Sequence, residues 1–188
     1  MGHDSADRRT IIADTIIAVL ASSGARGLTH RAIDAAAGMP AGSTSYYFRT
    51  REALLTAAAV RLADLDLAAA GQLPQPQTRD ALLGALAGMV HAQTVEFRER
   101  TIARYQLSLE AGRYPQVHAA LATMGERFTA AATLLLGQLG AKDARRDARA
   151  VIAVCAGLVY ESTVGGQHPY SASEISELLG DLLAARLG

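Results

Sequence analysis

The side chains best suited to bind another molecule are concentrated in residues 28–55 and carry hydroxyl, phenol and guanidinium groups. Such groups can hydrogen-bond to phosphate oxygens and to the edges of bases, which is the chemistry that duplex recognition needs. The small side chains among them let the backbone approach a duplex closely. We therefore predict a nucleic-acid contact surface made by Thr29, His30, Arg31, Pro40, Ala41, Ser43, Thr44, Ser45, Tyr46, Tyr47, Arg49 and Arg51.

Two short helices joined by a turn are predicted to carry these residues. Thr29 suits the N-cap of the first helix, because its hydroxyl can accept from an amide of the first turn. Gly38 ends that helix, since glycine adopts the left-handed conformation at little cost. Pro40 begins the second helix, which runs to about Tyr46, because proline is tolerated in a first turn. A unit of this size is typical of a helix-turn-helix, whose second helix can lie in the major groove.

Two longer helices are predicted to flank this unit. The first runs from about Ser5 to Ser22 and has an apolar stripe on one side. The other begins near Arg51 and ends near Ala70. Phe48 is predicted to lie in the core between them, because a large aromatic ring contributes most when it is buried.

The stretch resembles the TetR family of transcriptional regulators. The matching motifs are Gly27-Leu28-Thr29, Ala36-Ala37-Gly38, Gly42 followed by Tyr46-Tyr47-Phe48, Arg51-Glu52 and Leu54-Leu55. The family usually has an aliphatic residue and a tyrosine where this chain has Thr44 and Ser45, lysine at Arg51, and valine-serine at Met39-Pro40. The motif match covers about the first sixty residues, and beyond it only the architecture is similar.

The resemblance implies a homodimeric repressor that binds a palindromic operator through paired recognition helices. It further implies that a small ligand, expected to be apolar, binds the C-terminal domain and tilts the long helix that begins near Arg51. The tilt changes the separation of the two DNA-binding units and releases the operator. At the matching positions of the family, Thr29 and Tyr47 contact phosphate.

Composition narrows the remaining classes of function. The formal net charge of the 188 residues is zero, and residues 1–60 carry six arginines against five carboxylates, so the placement of charge must provide any affinity for DNA. No Gly-rich phosphate loop, nucleophile elbow or H-E-x-x-H motif occurs. We therefore expect no enzymatic activity, no cofactor and no metal. A single cysteine and the lack of a charge-free apolar run of about 20 residues favour the cytoplasm.

The whole chain is predicted to be all-α, with about nine helices. Residues 1–50 form the helix-turn-helix domain, and residues 51–188 form a helical domain for effector binding and dimerisation. Methionine and aromatic stripes that face one another suggest a ligand pocket, although such stripes also serve as plain core. The pocket candidates are Met89, Gln93, Phe97, Tyr105, Met124 and Phe128.

The last two helices are strongly apolar and are predicted to form a four-helix interface with a second copy of the chain. Alternatively, both helices simply complete the bundle within one chain. The interface candidates are Val151, Cys155, Leu158, Ile175, Leu178, Leu179 and Leu182. Cys155 itself lies on the apolar stripe and is expected to be a packed residue rather than a nucleophile.

Two other functions stay open. A regulator with the same fold could lack a small-molecule effector and respond to a protein partner or to its own concentration. A helical enzyme or small-molecule carrier could carry an accidental helix-turn-helix resemblance. A tightly packed C-terminal core would favour the first alternative, and converging acid, base or metal-binding groups would favour the second.

Overall fold

The computed structural model describes residues 2–71, 75–166 and 170–187, with side chains from residue 6 onward. These residues form nine α-helices and no strand, so the all-α prediction is confirmed. The helices are α1 (Gly2–Gly27), α2 (His30–Ala36), α3 (Ser43–Tyr47), α4 (Arg51–Ala70), α5 (Arg79–Thr94), α6 (Arg98–Ala111), α7 (Pro115–Gln138), α8 (Ala144–Tyr160) and α9 (Ala172–Leu187). A five-residue π-helical turn, Glu161–Gly165, extends α8.

Threonine caps fix where the functionally important helices begin. The hydroxyl oxygen of Thr50 accepts from the amide of Ala53 at 3.1 Å and starts α4. The hydroxyl oxygen of Thr78 accepts from the amide of Ala81 at 3.1 Å and starts α5. Each cap satisfies one of the backbone donors that a helix leaves unpaired at its N-terminus. The predicted start of α4 near Arg51 is confirmed.

The first helix is longer than predicted because it continues past a kink. Gly24 has φ +64°, which interrupts the helical backbone, and helical residues resume beyond it up to Gly27. The amide of Ala25 donates to the side chain of Gln106 on α6 at 3.4 Å, and the Gln106 amide group lies against Gly24. The helix thus extends beyond the end predicted near Ser22, with the interruption at Gly24.

The chain divides into two compact units. The first comprises Met1–Gln72 and Glu99–Met124, and therefore contains α1 to α4, most of α6 and the beginning of α7. Its core is one cluster that includes Ile16, Ile33 and Leu55, all fully buried. Phe48 belongs to the same cluster with 9% exposure, so its predicted core position is confirmed.

Two ion pairs fasten α4 inside this first unit. Arg104 on α6 donates to Asp66 at 2.6 Å, and Arg61 donates to Asp14 on α1 at 2.7 Å. Burial raises the pKa of Asp66 even though the Arg104 guanidinium opposes this shift. The pairs connect α4 to α6 and α1.

The second unit comprises Leu73–Arg98 and Gly125–Gly188, and α5, α8 and α9 pack against one another in its described part. Arg186 on α9 donates to the buried carboxylate of Asp147 on α8 at 3.0 Å. Leaving that carboxylate unpaired would be costly, so the pair fixes how the two helices align. The boundary predicted near Arg51 separates DNA binding from effector binding and dimerisation, whereas the two compact units are defined by packing. That functional boundary stays a prediction.

Most of the residues predicted to form a dimer interface lie inside the second unit. The buried set, with 0–6% exposure, is Val151, Cys155, Leu158, Ile175 and Leu179. Their stripe faces the neighbouring helices of the same chain, so the assignment of these five residues to an interface is wrong. Leu178 is 43% exposed and Leu182 is half-buried, so these two can still meet another molecule.

Cys155 is a packed thiol, as predicted. Burial raises its pKa to about 11, which keeps it protonated and unreactive near neutral pH.

One segment of the described chain, Ala144–Gly165, is long and apolar enough to cross a membrane by length and composition. Only 33% of its most apolar window is buried within the chain. The core helix of a water-soluble protein meets the same criterion, and α8 packs against α5 and α9 along one side.

Candidate nucleic-acid interface

The two short helices form a helix-turn-helix. The hydroxyl oxygen of Thr29 accepts from the amide of Ala32 at 3.1 Å and caps α2, as predicted. The turn contains Gly38 at φ +62° and Gly42 at φ +90°, conformations that favour glycine. Because Gly42 holds the N-cap position, α3 begins at Ser43, and the predicted start at Pro40 is wrong.

Asp34 on α2 fixes the beginning of α3. Its carboxylate accepts from the amide of Gly42 at 2.8 Å, the amide of Thr44 at 2.8 Å and the hydroxyl of Thr44 at 2.6 Å. Gly42 has no side chain with which to cap α3, so Asp34 supplies the missing acceptor from the neighbouring helix. The carboxylate therefore sets where the second helix of the motif lies.

Ionisation of Asp34 is favoured by these contacts. Burial alone would raise the pKa of Asp34, but hydrogen bonds from the Thr44 side chain and from the amides of Thr44 and Gly42 outweigh burial, and the pKa is lowered. This role of Asp34 was not predicted from the sequence. Two features could have indicated it: Asp34 is an acidic residue next to Ile33 on the apolar side of α2, and Gly42, at the N-cap of α3, has no side chain that could cap that helix.

Thr44 does not belong to the contact surface. It is fully buried, and its hydroxyl donates to Asp34 inside the protein. A side chain in that position cannot reach a base or a phosphate, so its predicted role as a DNA contact is wrong.

Arg51 has partners inside the protein that the sequence did not predict. Its guanidinium donates to the carbonyl oxygens of Leu28 at 3.0 Å and Ala25 at 2.6 Å, and lies 3.7 Å from the carboxylate of Glu110 on α6. Arg51 therefore ties the start of α4 to the end of α1 and to the segment before α2. Its side chain is 35% exposed, and the phosphate contact stays a prediction.

The other predicted contact residues leave a polar edge on α3 and its flanks. Tyr46 is 77% exposed, whereas Tyr47 is half-buried and packs against the core cluster. The two rings meet edge to face at 5.1 Å between centroids. The exposed members of the set are Thr29, Arg31, Pro40, Ala41, Ser45, Tyr46 and Arg49.

Two further members are only half-exposed because they take part in local bonding. Ser43 donates its hydroxyl to the carbonyl of Pro40 at 2.6 Å, which closes the turn before α3. The Nε2 atom of His30 lies 2.7 Å from the carbonyl oxygen of Phe48 and hydrogen-bonds to it. Both side chains therefore brace the ends of α3 as well as bordering the exposed edge.

The six residues predicted to line a ligand pocket divide between the two units. Tyr105 and Met124 belong to the first unit, whereas Met89, Gln93, Phe97 and Phe128 belong to the second. The pocket stays a prediction.

The fold and the motif together define a class of protein, an all-α chain with an N-terminal helix-turn-helix. Residues 77–185 match a family model described as the C-terminal domain of tetracyclin repressor-like proteins. This match spans more than half of the chain. The chain belongs to the TetR family of transcriptional regulators, and the resemblance in residues 27–55 is confirmed.

Solved structures extend the comparison over nearly the full length. The multidrug binding protein EbrR in complex with ethidium is 30% identical, with a TM-score of 0.74 over 93% of this chain and 98% of that one. EbrR in complex with proflavin has the same identity, with a TM-score of 0.65 over 93% and 99% of the two chains. A transcriptional regulator from Rhodococcus sp. Rha1 shares the fold, with 18% identity and a TM-score of 0.84 over 95% of each chain. Among curated proteins, no sequence matches this chain.

Proposed function

We propose that this chain is a cytoplasmic, non-enzymatic repressor that binds duplex DNA through α2 and α3. The observation that carries the proposal is the edge of α3, where Ser45 and Tyr46 face outward while Asp34 and Thr44 hold the helix from within. Because hydrogen bonds to Asp34 hold the inner side of α3, the helix can present its outer side chains in a fixed position. Such preorganisation is what specific recognition of a groove requires.

The exposed groups divide into two kinds of contact. Pro40, Ala41 and Ser45 are small enough for the backbone of α3 to enter the major groove, where a hydroxyl or methyl meets base edges. Arg31, Tyr46 and Arg49 flank them with donors suited to phosphate. Because the formal net charge of the chain is zero, affinity depends on these few placed groups rather than on a general attraction.

Selection of bound duplexes from a random pool tests DNA binding directly. We expect a palindrome whose half-sites are separated by about 34 Å or a multiple, because two-fold-related recognition helices must enter successive major grooves. Binding to the selected duplex should weaken as salt rises, since phosphate contacts release counterions. Recovery of no common sequence would contradict the proposal.

A small ligand is proposed to control this binding. Support comes from EbrR, which is 30% identical and binds ethidium and proflavin. The proposed pocket residues of this chain include Gln93 and Phe97. A ligand that releases DNA must bind the released state more tightly, typically by a coupling of about 1–3 kcal/mol.

Calorimetric titration with ethidium in the absence of DNA tests the ligand proposal, since the dye also binds duplexes by stacking. We expect saturable binding that Phe97→Ala weakens, because the ring supplies apolar contact area. Val95→Ala is the matched control on the same segment, since Val95 is 60% exposed. Equal affinities of both variants and the unmodified chain would remove Phe97 from the pocket. Failure to bind any of a panel of apolar ligands would favour a regulator without a small effector.

A further inference from the structure

The first helix contributes an arginine to the end of α3 that the helix-turn-helix motif does not contain. The guanidinium carbon of Arg9 lies 5.1 Å from the centroid of the Phe48 ring and 5.7 Å from that of Tyr47. Both distances are within the range in which a cation is attracted to the face of an aromatic ring. Arg9 is exposed, so α1 presents a positive charge beside the C-terminal end of α3.

The contacts of Arg9 with the two rings give its N–H donors no oxygen acceptor. A cation–π contact depends on the charge of the guanidinium, whose five N–H donors lie in the plane of the group. Within the described residues, Arg9 makes no ion pair or hydrogen bond through its side chain, and its ring contacts are its only polar interactions. By contrast, Arg51 and Arg61 use their donors on partners inside the unit.

The neighbouring side chains connect Arg9 to the exposed edge of α3. Tyr47 meets Tyr46 edge to face, and Tyr46 is 77% exposed. The rings of Tyr47 and Tyr46 therefore lead from Arg9 on α1 to the exposed edge of α3, and we call these two rings the aromatic row. Its outer end is the tyrosine that flanks the proposed groove contacts.

We propose that Arg9 is a phosphate-binding residue of the DNA interface, positioned by the aromatic row. This inference rests on the proposed DNA binding and adds a contact from α1 to it. The cation–π contacts hold the guanidinium near the two rings before DNA arrives, so less side-chain freedom is lost on binding. The planar fork of N–H donors matches two oxygens of one phosphate.

The alternative is that Arg9 only covers the Phe48 ring and stabilises the packing of α1 on α3. The two roles differ in their dependence on salt. A phosphate contact contributes about 0.9 to the slope of log affinity against log salt concentration, whereas a packing contact contributes nothing to that slope.

The test compares Arg9→Gln and Arg9→Lys with the unmodified chain on the selected duplex, over a series of salt concentrations. We expect Arg9→Gln to lower affinity and to reduce the slope by about 0.9 for each protomer, which is about 1.8 for the two protomers on a palindrome. Arg9→Lys should keep the slope but bind more weakly, because an ammonium group lacks the planar fork. Arg127→Gln is the matched control, since Arg127 is an exposed arginine in the second unit, and it should leave the slope unchanged.

The outcomes separate this inference from the proposed function. If the unmodified chain shows salt-dependent, selective binding and Arg9→Gln keeps its slope, the phosphate contact is overturned and DNA binding stands. An equal loss of slope in Arg127→Gln would also overturn it, because the effect would then be one of general charge. If the unmodified chain binds no duplex selectively, the proposed function fails and the contact fails with it.

Discussion

Asp34→Ala is expected to destabilise the first unit by about 3 kcal/mol, because hydrogen bonds to a charged acceptor contribute about 1.5–3 kcal/mol each and some lost partners regain water. The Thr44 hydroxyl and amide are buried and would be left without an acceptor. A five-residue helix cannot hold itself in water. Selective DNA binding should therefore fall by more than stability alone predicts. Denaturant unfolding and binding to the selected duplex measure the two effects.

A double-mutant cycle with Thr44→Val isolates the buried pair. Removing both polar partners leaves fewer unsatisfied groups than removing one, so the double variant should be more stable than the sum of the single effects predicts. Asp34→Asn should be intermediate, since the amide oxygen can still accept from Thr44 whereas its nitrogen cannot accept from Gly42. Strictly additive losses would contradict the account of Asp34 as the acceptor for Thr44.

The same pair predicts how stability depends on pH. The pKa of Asp34 is lowered in the folded chain, so its contribution is fully present above the unfolded value of about 3.9 and is lost as pH falls through the lower folded value. The stability difference between the unmodified chain and Asp34→Ala should thus be constant near neutral pH and shrink only in acid. A difference that already declines between about pH 7 and 5 would contradict the lowered pKa.

Local signals in the sequence decide where several helices begin and end. Thr50 and Thr78 cap α4 and α5, because a capping hydroxyl acts on an amide only three residues away. Gly140, at φ +91°, follows the end of α7 for a similarly local reason. The motif around Gly38 and Gly42 predicted the helix-turn-helix through resemblance to the family.

The same local signals do not predict contacts between residues that are far apart in the sequence. Whether Thr44 or Ser45 faces inward depends on where α3 begins, and a carboxylate ten residues earlier decides that. The partners of Arg51 are backbone carbonyls of Ala25 and Leu28, which no side-chain pattern reveals. The sequence therefore predicted the helix-turn-helix segment but not the internal partners of Thr44 and Arg51, and its assignment of Thr44 to the contact surface is wrong.

The spacing of apolar residues in the last two helices also leaves their packing partner undetermined. A stripe such as Val151, Cys155 and Leu158 predicts that one side of α8 is covered, but not whether the cover is the same chain or a second copy. The structure places this stripe against the other helices of the second unit. The opposite side of α8 and of the π-helical turn that follows it is exposed, and we call it the outer face; it comprises Ala153, Gly157, Tyr160 and Val164. An exposed apolar stripe of this kind commonly marks an interface.

Gly157→Arg is expected to dissociate the proposed dimer while leaving the protomer folded. A side-chain carbon built at Gly157 meets no atom within 4 Å, so the protomer has room for the new side chain. In a two-fold interface each substitution occurs twice. Burying an unpaired charge costs about 3–5 kcal/mol, so dimer affinity should fall at least about 100-fold.

Gly88→Arg is the matched control, because Gly88 also lies in a helix of the second unit and is equally open around its α-carbon. Light scattering should report a dimer for the control and a monomer for Gly157→Arg at the same concentration. Leu179→Glu is unsuitable for this purpose, because Leu179 is fully buried within the chain and its replacement would unfold the protomer. If Gly157→Arg stays dimeric, the outer face is not the interface. If it is monomeric and still binds the palindrome at full affinity, two-fold presentation of the recognition helices is not what gives the chain its selectivity.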